Sequence, residues 1–183
     1  MQLPCVIDIE ASGLGRGSYA IEIGFITAAG KSYCTLVKPA QGWTHWSGEA
    51  EKLHGISRSL LDEKGRNVAS TASWLNELLG GTIVYSDGWV NDMCWLGKLF
   101  DEADVEPQFK IESILMLMDE YEKERWTPTH NAVIKECCFK RHRASLDAKN
   151  IQRTFQRIKQ LSYDKMQNGL PNQGSSLFKT NNE

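Results

Sequence analysis

The segment Val6-Ile7-Asp8-Ile9-Glu10 places two carboxylates two residues apart inside an apolar, β-branched run. Successive side chains of a strand point to opposite faces, so Asp8 and Glu10 share one face while Ile7 and Ile9 share the other. Two like charges that close repel. The pair is tolerable on an edge strand with one wet face, or where a cation neutralises it at a solvent-facing strand end. The ions that such hard oxygen donors favour are Mg²⁺ and Mn²⁺.

The elements that must position these acids follow from the pattern of the rest of the chain. Residues 4–9 read as a strand, and "YAIEIGFITAAGKSYCTLVKP" reads as a hairpin turning at Ala29-Gly30 and ended by Pro39. Residues 40–52 look irregular, and a short helix starts near Ser57. An apolar stripe of Trp74, Leu75, Leu78 and Leu79 predicts a helix around 70–79. "GGTIVYS" is a short strand after a glycine stop, and "NDMCWLGKLFDEA" continues as a helix. "PQFKIES" reads as a brief strand passing into a helix that contains "ILMLMDEYEKE". Residues 129–140 look helical, and a last long helix is capped by Ser145. Three opening strands, then strands alternating with helices, predict a mixed α/β sheet covered by helices. The tail "NGLPNQGSSLFKTNNE" offers almost nothing to bury, so residues 166–183 are expected to be flexible.

Composition sets outer bounds. A chain of 183 residues fits one domain with a core that needs no staple, and its formal net charge of -2 gives no global footprint for coating nucleic acid non-specifically. A local positive rim around an acidic metal site remains compatible with that charge. Five cysteines without CxxC spacing point to a reducing, cytoplasmic setting. Cys137, Cys138 and His142 lack a fourth ligand at zinc-like spacing. No export signal and no run of 18 apolar residues is seen, so no membrane association is expected.

With the acids and elements placed, the chain resembles the DEDD exonucleases in their histidine-containing branch, which includes ribonuclease T, oligoribonuclease and polymerase proofreading subunits. "DIEASG" is similar to the first motif at Asp8, Glu10, Ser12 and Gly13, with Ala11 where Thr or Ser is common. "VYSDGWVNDMCWL" resembles the second, with Asp92 as the acid and Leu96 on the same helical face. "HRASLD" resembles the third through His142, Ala144 and Asp147; "EIG" at 22–24 and "LHGIS" at 53–57 resemble accessory stretches. The resemblance covers about residues 4–160. It implies a ribonuclease H-like mixed five-stranded sheet flanked by helices over residues 1–165, and a 3′–5′ exonuclease that acts on the 3′ end of single-stranded RNA or DNA to release nucleoside 5′-monophosphates. It also implies two Mg²⁺ per site, replaceable by Mn²⁺, on Asp8, Glu10, Asp92 and Asp147, with His142 as general base. Homodimers occur among the ribonucleases it resembles.

The chemistry agrees with that resemblance. Hydrolysis of a phosphodiester needs charge neutralised on the transition state and a water made nucleophilic, which two divalent cations about 4 Å apart can supply. An imidazole with an ordinary pKa near 6.5 can take the water's proton at neutral pH. Taken alone, His142 between Arg141 and Arg143 reads as a surface histidine; the accompanying acids reverse that reading. Lys140, Arg141 and Arg143 either draw the polyanion in or form a solvated charge run. Leu14 is a candidate wedge against the terminal base, and the backbone of Ser12 and Gly13 a candidate contact for the terminal sugar. Trp43, Trp46 and Trp89 either stack on bases, at about 1–3 kcal/mol each, or fold back on the core. Ser86-Asp87 stands where relatives carry a His-Asn pair, and His130-Asn131-Ala132 reads as a loop-to-helix junction. Two rival readings use the same fold: a nucleic-acid-binding protein whose catalysis has lapsed, and an endonuclease of the ribonuclease H type.

Overall fold

The computed structural model describes residues 2–137 and 142–169, so Cys138, Lys140, Arg141 and the tail beyond Gly169 lie outside the described residues. Strands β1 (Cys5–Ala11), β2 (Ala20–Ile26) and β3 (Ser32–Leu36) form an antiparallel meander. The turn between β2 and β3 closes by Gly30 N–H donating to Thr27 O at 2.9 Å. Strands β4 (Ile83–Ser86) and β5 (Lys110–Ser113) add in parallel beside β1, giving the order β3-β2-β1-β4-β5. This is the expected ribonuclease H-like mixed five-stranded sheet flanked by helices, with β1 at its centre.

The two faces of β1 explain its alternating sequence. Ile7 and Ile9 join Ile21 and Ile23 in a core covered by α3 (Val68–Leu79) and α4 (Trp89–Ala103), through Leu75, Leu79, Leu96 and Leu99. Val6 and Ile26 face the other way, onto Ala148, Ile151, Phe155 and Ile158 of α7 (Ala144–Gly169). Asp8 and Glu10 fall on this second face. The start of α7 lies so close to β2 that a Cβ on Gly24 would stand 2.1 Å from Ser145 N. Only a residue without a side chain lets the helix reach the sheet there.

Four local expectations are corrected. Residues 40–52 are not wholly irregular, because α1 (Gly48–His54) starts where the Ser47 hydroxyl accepts from Ala50 N–H. The stretch 114–124 is not one helix. A 3-10 turn at Ile114–Leu117 ends before a capping box, in which Asp119 accepts from Glu122 N–H and Glu122 accepts from Asp119 N–H, opens α5 (Glu120–Glu124). Ser145 is not the cap of the last helix, since α7 already begins at Ala144. His130 is not at a loop-to-helix junction; it lies inside α6 (Trp126–Cys137), which packs on α7. Helix α2 (Arg58–Lys64) starts at Ser57 as expected, with the Ser57 hydroxyl accepting from Leu60 N–H. Among the described residues no helix is long and apolar enough to cross a membrane.

Candidate active site

The site forms where the acid-bearing face of β1 meets the first turn of α7. Glu10, His142 and Asp147 each offer a ligand atom, and these atoms lie within 4.8 Å of one another. Asp8 joins them in a cleft of about 260 Å³, whose walls also include Asp87, His130 and Ile151. Thus β1, the end of β4, α6 and the start of α7 all contribute to one concavity.

The segment before α7 is held by two carboxylates with different tasks. Asp147 Oδ2 accepts from the backbone N–H of His142 at 2.7 Å and of Arg143 at 3.2 Å. His142 has φ 63°, a left-handed backbone uncommon for a side-chain-bearing residue, and those two bonds help retain it. Below it, Glu22 of β2 is 0 % exposed and receives Arg143 through a forked ion pair, Nη2 to Oε1 at 2.6 Å and Nε to both oxygens at 3.0 and 3.1 Å. Glu22 Oε2 also accepts from Ala144 N–H at 2.9 Å, so the "EIG" stretch anchors the residues that present His142.

Asp92 stands behind the cleft rather than on its open wall. It lies in the first turn of α4, is 3 % exposed, and accepts a short hydrogen bond from the buried Ser86 hydroxyl. Burial pushes its carboxyl up to about 7, with Ser86 opposing and Asp87 adding to the rise. Burial, then the charges of Asp147, Glu22 and Asp92, take Glu10 up to about 7 against the pull of Arg143. Asp8 is held well above the usual carboxylate range by burial and by Asp92, Glu10, Asp147 and Asp87. These shifts share one physical origin: carboxylates crowded into a poorly hydrated cleft resist ionising together.

Ser12, Gly13 and Leu14 occupy the strand's exit. Ser12 is 1 % exposed, its N–H donates to Tyr19 O at 2.9 Å, its carbonyl accepts from Ser47 N–H at 2.8 Å, and its hydroxyl lies 3.0 Å from His45 Nδ1. Those bonds make Ser12 a brace of the loop. Gly13, at φ 142°, passes so near Ser47 and His45 that a Cβ would stand 2.7 and 2.8 Å from their atoms. Leu14 is 74 % exposed beside it. Trp43 folds back into the core against Tyr19, Trp46 donates to Glu51 at 2.7 Å, and Trp89 donates to Ile111 O at 3.1 Å. None of the three presents a wholly free ring.

Asp87 and His130 also line the cleft. Asp87 follows the Ser86 that ends β4, and burial raises its carboxyl while His130 and backbone N–H groups oppose the rise. His130 reaches the cleft from α6. Its position in a strand-end or helix pattern gives no sign of this, because it depends on how α6 lies against α7.

No protein-family model matches the sequence, and no curated protein matches it. Solved structures do match in fold. Exonuclease I of E. coli in complex with a dA16 oligonucleotide superposes with a TM-score of 0.65 at 15% identity, covering 91% of this chain and 41% of that one. The zinc-bound complex of the same enzyme with single-stranded DNA gives the same TM-score, identity and coverage. A product-bound exonuclease I matches at a TM-score of 0.54 and 18% identity over 69% of this chain and 33% of that one. The likeness is one of fold, and the chain spans less than half the length of these structures.

The donor set fits a hard divalent cation. Several carboxylates with raised pKa values crowd together in the cleft and behind it, where ionisation of all of them is costly unless a cation offsets the charge. Asp147 turns Oδ2 to the backbone of residues 142 and 143 and offers one carboxylate oxygen to the group it forms with Glu10 and His142.

Proposed function

We propose that the chain is a metal-dependent 3′–5′ exonuclease of the histidine-containing DEDD type, which removes nucleoside 5′-monophosphates from the 3′ end of single-stranded RNA or DNA. The observation that carries this reading is the convergence of Glu10, His142 and Asp147 within 4.8 Å, beside Asp8 and in front of the buried Asp92. The fold shared with exonuclease I supports it.

Asp8, Glu10, Asp92 and Asp147 are the residues that would hold Mg²⁺, or Mn²⁺ in its place. When bound, such cations neutralise charge on the phosphoryl oxygens and acidify the attacking water. His142 takes the proton of that water as it attacks phosphorus, and the Asp147 and Glu22–Arg143 contacts keep its backbone in place for that transfer. Ser86 fixes the rotamer of Asp92 through its hydroxyl. The exposed Leu14 wedges against the terminal base, and the close-packed Gly13 sets the loop that carries it.

The test is a Mg²⁺-dependent digestion of matched single-stranded RNA, single-stranded DNA and duplex, with product sizes resolved. Mononucleotides from single strands, lost in chelator, are expected. Binding without hydrolysis in any cation would instead mark a lapsed enzyme.

A further inference from the structure

Helix α4 and the edge strand β5 leave an open groove of about 680 Å³ on the sheet face that α7 does not cover. Its floor is apolar. Phe100 and Phe109 are buried there and meet edge to face at 5.8 Å, while Met93 and Val105 stand beside them 41% and 42% exposed. Asp101, Asp104 and Glu106 also line the groove, all three exposed, and none of them belongs to an ion pair among the described residues. The one base between Gly97 and Phe109 is Lys98, and its ammonium is turned to Gly17 O and Ser18 O at 2.7 and 3.2 Å. Acids at this end of α4 run against the helix dipole, whose negative end favours cations, yet the last turn holds no basic residue.

The spacing along α4 gives the shape of what fits. Met93, Gly97, Phe100 and Asp104 all line the groove and stand at i, i+4, i+7 and i+11, the seam along which a second helix packs. Gly97 is the odd member. Glycine inside a helix weakens it relative to alanine, and a Cβ at this position would meet nothing within 4 Å, so nothing among the described residues calls for a glycine there. A helix laid over α4 does call for one, because its backbone or side chains then approach without obstruction. We propose that this groove docks an amphipathic helix of a partner protein, which sets apolar side chains on Phe100, Phe109, Met93 and Val105 and places lysine or arginine against Asp101, Asp104 and Glu106. The same carboxylates repel a nucleic acid or an anionic membrane, so the occupant is a basic segment of protein. The surface goes beyond the exonuclease reading and does not depend on it.

The probe is a fluorescein-labelled, hydrocarbon-stapled helix of about four turns, with Leu along one seam and Lys on its flanks, used beside a twin that carries Glu at the Lys positions. Kd is read by anisotropy and Tm by melting. The Lys helix is expected to bind the full chain at least about tenfold more tightly than the Glu twin, and less tightly as salt is added. Asp101→Asn, Asp104→Asn and Glu106→Gln together are expected to raise its Kd about tenfold, roughly a factor of two for each exposed ion pair. Asn suits the left-handed backbone of Asp104, φ 53°, so the fold is kept. Gly97→Ala separates docking from stability: it should raise Tm by strengthening α4 and yet raise Kd at least about fivefold by filling the seam. Equal binding of the two helices, or wild-type Kd in either variant, overturns the inference. So does a wild-type chain that ignores the Lys helix and sediments as a dimer dispersed by Gly97→Ala, which would give the groove to a second copy. Should Gly97→Ala not fold, the amide variant and the Glu twin decide. Absence of nuclease activity in the wild type defeats the proposed function and leaves these Kd values to be judged on their own.

Discussion

His142 combines a left-handed backbone, a bond from its N–H to Asp147 and a ring nitrogen within 4.8 Å of a Glu10 carboxylate oxygen. Its role as base and a role as metal ligand give different outcomes. If it is the base, His142→Ala lowers turnover by about 10²- to 10⁴-fold while Mn²⁺ affinity, measured by calorimetry, stays close to wild type. A parallel loss of affinity would make it a ligand. The acids carry a second prediction. Glu10 and Asp92 are both held near 7 in the folded chain, far above their ordinary values, so the folded state binds more protons than the unfolded one between about pH 4 and 7. In chelator, stability is therefore greatest at the acid end of that window and falls as pH rises through it. Melting curves from pH 5 to 8 check the sign, and excess Mg²⁺ should flatten the slope. Asp8→Asn relieves the same repulsion, so it should abolish hydrolysis and yet raise Tm in chelator by about 2–4 °C for each kcal/mol recovered. Much of this residue-scale picture is legible in the sequence, because a strand period of two puts Asp8 and Glu10 on one face without further information. His130 is not legible in the same way. Its place in the cleft depends on the packing of α6 on α7, which no local spacing in "WTPTHNAVI" encodes.

Elements bring the acids together through contacts between residues distant in sequence. Glu22 on β2 and Arg143 before α7 are 121 positions apart, yet their forked pair and the Glu22 bond to Ala144 N–H tie the two segments. Arg143→Ala leaves a fully buried carboxylate without its partner, and it should cost about 3 kcal/mol, or roughly 6–12 °C in Tm, together with a loss of turnover through His142. Glu22→Gln keeps a hydrogen-bonding group for Arg143 and Ala144, and should cost less on both measures. Gly24→Ala tests the same junction from the other side. The added methyl meets the backbone of residues 144 and 145, so α7 must lift from β2, at a cost of about 1–3 kcal/mol or more by denaturant unfolding. The strands and the α4 helix could be read from apolar runs and glycine stops. The break before α5 could have been read as well, since Asp119 and Glu122 have the spacing of a capping box, but the apolar "ILMLM" run obscured it. Helix α1 was missed because its signal is a single Ser47 cap amid tryptophans and glycines. The start of α7 was misplaced by two residues because Ser145 looked like a cap, whereas Asp147 reaches back to the backbone from inside the helix.

At the scale of the molecule, β1 sits at the centre of the sheet with one face committed to the larger core and the other turned to α7, so its acids emerge where strand end and helix start meet. The formal charge of -2 gives the chain no global positive field, so under the proposed function the attraction of a polyanion would rest on local charge. Polarity of digestion is the property on which the proposed function commits itself most, because a strand with a free 3′ end and a circular strand must then behave differently. The decisive measurement is the time course of a 5′-labelled single strand in Mg²⁺, run beside the same strand with a 3′-phosphate and beside a circular single strand. The account predicts a ladder shortening one nucleotide at a time with release of 5′-monophosphates, blocked by the 3′-phosphate, absent from the circle and abolished by Asp8→Asn. Cleavage of the circle, or activity that survives Asp8→Asn, would contradict it.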